Sequence, residues 1–239
     1  MNDSIRAGLD SLASQVAEGV AEVKPRLRGW LHLGTAPLTL AAGIVLVVLS
    51  PTAATRFGSI VYVASSVLLF TVSAIYHRGR WSPRVTGLLR RLDHANIFLL
   101  IAGTYTPFSL LLLHGTDRVV MLTVIWSGAL LGVGFRVLWI DAPRWLCVPI
   151  YIALGCAAVL VLPQFAAGSE RLGVGIGTTV LVLIALGGLL YIAGGTVYGF
   201  RRPDPWPRYF GFHEVFHSFT VLAFLAHYVG ISLATYSLR

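Results

Sequence analysis

The sequence predicts an all-α fold: a bundle of seven membrane-spanning helices preceded by an amphipathic helix. Three observations lead there. Of the 239 residues, 56% are hydrophobic and only 12% charged, with a mean hydropathy of +0.77. Soluble domains run near ~45–50% apolar and ~25% charged, so this chain cannot cover a water-facing surface, and it is too apolar to be disordered. The apolar residues fall into seven runs, most of them near the ~20 residues that cross a bilayer as a helix. The basic residues lie between those runs and favour one side of them.

Taken in order, residues 1–29 form a polar N-terminal segment ahead of the membrane domain, 30–239. Ile5, Leu9, Leu12, Val16, Val20 and Val23 recur at helical spacing, the pattern of a helix lying on a membrane surface or against the bundle. Asp3, Asp10, Glu18 and Glu22 make it unlike a cleavable signal peptide. Lys24, Pro25, Arg26 and Arg28 end that pattern, and Trp30 marks the interface. Apolar runs follow at about 32–50, 58–77, 92–113, 119–140, 145–163, 172–199 and 212–235. Pro107 is expected to bend the third, because proline removes a backbone hydrogen bond and clashes one turn back. The glycines of the sixth run, and Gly128 and Gly132 in the fourth, are expected to let helices pack closely. Cys147 and Cys156 have no CxxC spacing, so neither a disulfide framework nor a cysteine metal site follows.

A net charge of +8 would suggest nucleic acid in a soluble protein. Here the charges lie in loops and report topology. Lys24, Arg26, Arg28, Arg78, Arg80, Arg84, Arg90, Arg91, Arg136, Arg144, Arg201, Arg202 and Arg208 fall on one side of the membrane. Arg56, Arg118, Arg171 and Arg239 fall on the other. That bias predicts a multi-pass cell-membrane protein with its N-terminus in the cytoplasm and its C-terminus outside. No nucleic-acid partner is expected.

An ionisable side chain inside a span is a functional hypothesis by default. His77 closes the second span, Asp93 opens the third, and His213 and His217 open the seventh, all at the cytoplasmic end. His213 and His217 stack on one helix face, about 5–6 Å apart. That spacing suits one metal ion, and His77 can supply a third nitrogen from another helix. Three histidines and a water make the open tetrahedral arrangement of a catalytic zinc. Asp93 would offset the metal's charge and hold the water or take its proton. Ser73, one turn before His77, could orient it or donate to a developing oxyanion.

Blander readings stand beside these. Asp93 alone could be an N-cap, Ser73 a packing hydroxyl, and His32, His94, His114 and His227 interfacial residues. Residues 213–217 also match HExxH, the zinc-protease helix whose glutamate is the general base. Its third ligand would have to come from upstream, because His227 lies roughly 15 Å further along the same helix. Glu214 could instead pair with Arg90 or Arg91.

The ordered set Ser73-x-x-x-His77, Leu92-Asp93-His94 leading into Ile101-Ala102-Gly103-Thr104-Tyr105-Thr106-Pro107-Phe108, then His213-x-x-x-His217, resembles the bacterial hemolysin III family. That family is related to the progestin and adiponectin receptors (PAQR) within the CREST superfamily of membrane hydrolases, which includes alkaline ceramidases. Lys24 to His32 also looks like the segment before the first helix in these proteins. The resemblance implies seven helices with a cytoplasmic N-terminus, and zinc held by His77, His213 and His217. It implies that Asp93 binds the water on the zinc, with Ser73 as an oxyanion or supporting group. It further implies hydrolysis of a lipid amide or ester, ceramide-like or with another acyl chain. Two alternatives stay open. One is a non-enzymatic sensor or receptor with a structural zinc; the other is a hemolysin-like cytolytic protein, for which a pore would need a polar stripe along a span.

Overall fold

The computed structural model describes residues 25–238, so the amphipathic helix expected over 1–23 lies outside the described residues. Among the described residues, seven helical segments are long and apolar enough to cross a membrane. They are α1 (Trp30–Val48), α2 (Ala53–Arg78), α3 (Pro83–Leu112), α4 (Gly115–Leu138), a broken fifth span, α7 (Val174–Phe200) and α8 (Phe212–Tyr236). Each expected run matches one of them, overrunning its ends by at most two residues, and there is no strand among the described residues.

Two elements depart from expectation. α3 begins at Pro83, nine residues before the apolar run. Ser82 occupies the N-cap position and Pro83 the first turn, the usual way to start a helix. Charged Arg84, Arg90 and Arg91 lower the local hydropathy but are good helix formers, so the helix simply extends beyond its apolar part. Asp93 therefore sits inside α3, and the N-cap reading of it is wrong.

The fifth span, Arg144–Leu172, is not one continuous α-helix. It runs as α5 (Arg144–Gly155), a 3₁₀ stretch (Cys156–Val161), α6 (Leu162–Ser169) and a last 3₁₀ turn (Glu170–Leu172). A broken helix leaves backbone groups without partners, which hydrocarbon does not tolerate. Tyr105 of α3 repairs the break. Its hydroxyl donates to the Gly155 carbonyl at 2.6 Å and accepts from the Ala158 N–H at 2.8 Å.

α2 packs along α1 and α3, α3 also along α4, and α7 along α8. α3 is the most buried span. Leu46, Phe70, Phe98, Ile125 and Ile231 are wholly buried in the core, while Leu38, Leu131, Leu138, Leu160 and Leu189 face outward. Small residues set some of the approaches: a Cβ on Gly132 would fall 2.4 Å from the Phe98 ring, and one on Gly194 would fall 2.9 Å from Phe219 Cβ. Gly175 and Gly188, by contrast, face open space. The segment before α1 is tied to the loop before α8 by Arg26 N–H to Arg208 O and Leu27 N–H to Tyr209 O, at 3.0 and 3.1 Å.

Candidate metal centre

One end of the bundle gathers the polar residues singled out by the sequence. His77 lies in the last turn of α2, His213 and His217 in the first two turns of α8, and Asp93 in α3. The three histidines are buried, and one ring nitrogen of each lies within 4.8 Å of the others. His77 Nε2 and His213 Nε2 are 3.2 Å apart. Such a group could hold a metal ion.

Asp93 Oδ2 stands 3.7 Å from His77 Nε2 and 4.0 Å from His94 Nδ1. The Ser73 hydroxyl lies beside the Asp93 carboxylate, and both residues line one cavity.

Gly29 brings a further wall of the site into place. Its φ of +82° is the left-handed region that favours glycine, and a Cβ there would lie 2.7 Å from His77 Cβ. The chain passes this point in contact with His77 and then enters α1. Three residues on, His32 is 2% exposed, and its ring stacks on that of His217 at 3.8 Å and 14°. The interfacial reading of His32 is therefore wrong, and so is that of His94. His94 Nδ1–H donates to Arg90 O at 2.7 Å, and Nε2 faces the Tyr198 hydroxyl at 3.3 Å. His114 is exposed beside Arg171, in keeping with an interfacial position.

Glu214 turns away from the histidines. It is 1% exposed, forms an ion pair with Arg28 Nε, and accepts the Gly211 N–H at 2.9 Å, which caps the first turn of α8. Both oxygens are engaged, so the protease reading lacks its base. Pairing with Arg90 or Arg91 does not occur either: Arg90 pairs with Asp141 at 3.1 Å, and Arg91 donates to the carbonyls of Val137 and Gly87.

A cavity of about 440 Å³ begins at Asp93, His213 and His217 and runs into the bundle between α3, the fifth span, α7 and α8. Leu69, Ile101, Phe108, Phe165, Leu181 and Ile184 are among the apolar residues of its wall. Sequence reasoning found the metal-ligating candidates but missed this chamber, His32 and the Arg28–Glu214 pair. An ionisable residue in the first turn of a span was the only available signal for His32.

Comparison with known proteins agrees with this architecture. The family model described as "Haemolysin-III related" matches residues 20–228. The chain is 30% identical over 187 residues to "Hemolysin-3" of Bacillus cereus, covering 77% of this chain and 79% of that protein. It is 29% identical over 161 residues to "Hemolysin-3 homolog" of Bacillus subtilis (strain 168), covering 67% and 69% respectively. The "Adiponectin receptor protein" of Drosophila melanogaster is 28% identical over 190 residues, or 73% of this chain and 40% of that longer one. With a family model spanning nearly the whole membrane domain and relatives in both branches, this multi-pass membrane protein belongs to the haemolysin-III related family.

Proposed function

We propose that this protein is a zinc-dependent hydrolase of a lipid amide or ester, ceramidase-like in its reaction, with its site at the cytoplasmic end of the bundle. The observation that carries the reading is the union of three clustered imidazoles with an apolar chamber that opens from them. Two imidazoles bound tetrahedrally to one zinc at ~2.0–2.1 Å have nitrogens about 3.3 Å apart. The 3.2 Å between His77 and His213 fits that spacing.

His77, His213 and His217 would hold the ion. When bound, it supplies Lewis acidity, making a water acidic and polarising a carbonyl. Asp93 accepts the proton of the attacking water and returns it to the leaving amine or alcohol. Ser73 holds the Asp93 carboxylate in one orientation. The chamber binds the acyl chain, taken up sideways from the bilayer, and sets the scissile carbonyl beside the histidines. The Arg28–Glu214 pair and the His32 ring fix the start of α8 and the plane of His217.

The test is metal analysis of detergent-purified protein beside His213→Ala/His217→Ala, followed by turnover of a ceramide-type amide. The expectation is about one zinc per chain, lost in the double variant, and turnover abolished by Asp93→Asn with zinc retained. Metal-free, well-folded wild-type protein prepared without chelator would overturn the reading. A second reading, a structural zinc without turnover, is favoured by the closeness of Asp93 to His77. It predicts zinc bound directly by the carboxylate and no hydrolysis by the wild type.

A further inference from the structure

Deep in the chamber stands a second polar place. His227 of α8 lies ten residues beyond His217, about 15 Å along the helix axis at 1.5 Å per residue. It is 6% exposed and lines the same cavity as Tyr191 of α7, their ring centroids 5.7 Å apart. The space for the imidazole is built into the neighbouring helix, since a Cβ on Gly187 would fall 2.3 Å from His227 Nε2.

The hydrogen-bonding state of the pair follows from its partners. His227 Nε2 meets the Ile184 carbonyl at 3.3 Å, and a carbonyl only accepts, so Nε2 carries the hydrogen. In a neutral ring Nδ1 is then a bare acceptor, and it has no partner among the described residues. The Tyr191 hydroxyl is a donor and likewise has none. Elsewhere on the chamber wall, away from the histidine cluster, Thr104, Tyr105, Tyr151 and Thr220 all donate their hydroxyl hydrogens to backbone carbonyls. A buried polar atom without a partner is unfavourable by about 1–3 kcal/mol, so two in one apolar cavity call for a ligand.

We propose that His227 and Tyr191 form a subsite for a hydroxyl group carried well along the chain of the bound lipid. A hydroxyl donates one hydrogen bond and accepts another, which matches one bare acceptor and one donor; a ketone could satisfy only Tyr191. An unsubstituted alkyl chain would leave both atoms unpaired. The ligand class is thus a hydroxylated acyl lipid, its head at the histidine cluster and its hydroxyl near the bilayer midplane. This rests on the chamber holding a lipid chain, as in the proposed function, but not on a bound metal or on turnover.

The test uses two isomeric probes, 12-hydroxystearic acid and 2-hydroxystearic acid, offered at equal concentration to purified full-length protein. Bound fractions are read by native mass spectrometry. Two added hydrogen bonds of about 1 kcal/mol each correspond to a preference of roughly tenfold or more for the 12-hydroxy isomer. Tyr191→Phe should reduce that preference severalfold, and His227→Phe should remove most of it. His213→Ala/His217→Ala should leave it in place even where zinc is lost, which separates this inference from the hydrolase reading. Equal uptake of the isomers by wild type would overturn the subsite, as a trapped water serving both atoms would produce. A preference unchanged in Tyr191→Phe, which removes one oxygen and keeps the ring, would overturn it too, and so would uptake of neither acid.

Discussion

Arg28 and Glu214 are 186 positions apart in sequence, yet their ion pair ties the chain before α1 to the first turn of α8. Glu214 is almost wholly buried and also caps its own helix, so truncating Arg28 would leave a carboxylate without its cation in a poorly solvated place. Breaking such a pair from one side costs about 3–5 kcal/mol, whereas replacing both partners by apolar residues of similar volume is often neutral. Arg28→Ala should therefore lower the thermal unfolding midpoint in detergent markedly, and Arg28→Met/Glu214→Met should recover most of the loss. Equal destabilisation by the two would mean that the pair acts through packing and not charge. The pair was not legible in the sequence, because nothing local marks which of many loop arginines reaches Glu214. His77, Asp93, His213 and His217 were legible, since ionisable groups in apolar runs stand out and the loop charges place them at one end, and Ser73 followed from its position one turn before His77. His32 hid because a lone histidine beside an interfacial tryptophan reads as part of the interface; only the left-handed turn at Gly29 swings it onto His217.

At the level of elements, the fifth span shows where hydropathy stops being informative. Residues 145–163 read as one apolar run, and Gly155-Cys156-Ala157-Ala158 contains no proline or charge to announce a break. The break becomes tolerable through Tyr105 on another helix, a relation no local window contains. Tyr105→Phe removes only the oxygen, leaving the Gly155 carbonyl and the Ala158 N–H without it. We expect a loss of about 1–3 kcal/mol, with faster amide exchange confined to residues 155–161. Exchange rising uniformly across the bundle would show that the hydroxyl supports the whole fold and not the 3₁₀ stretch. The start of α3 teaches the converse: Ser82-Pro83 was a readable start signal, overlooked because the charged turn after it suppressed the apolar count.

For the whole molecule, large apolar side chains occupy core and outer surface alike, while buried His32, Ser73, His217 and His227 line the chamber. The loop charges predict that the Arg80 side of the bundle faces the cytoplasm and the Asp117 side faces out. In a background lacking Cys147 and Cys156, Asp117→Cys should react with a membrane-impermeant thiol reagent on intact cells, and Arg80→Cys only after permeabilisation. The reverse pattern would invert the topology. The spacing of the three clustered histidines along the chain also bears on how the protein is made. His77 emerges early, and its two companions arrive 136 residues later or more, in α8. A nascent chain that stalls or is cut before α8 carries one donor of three and has lost a wall of the chamber. A centre that needs all three histidines could be filled only once α8 has been made, so its occupancy would separate chains that carry α8 from fragments that lack it.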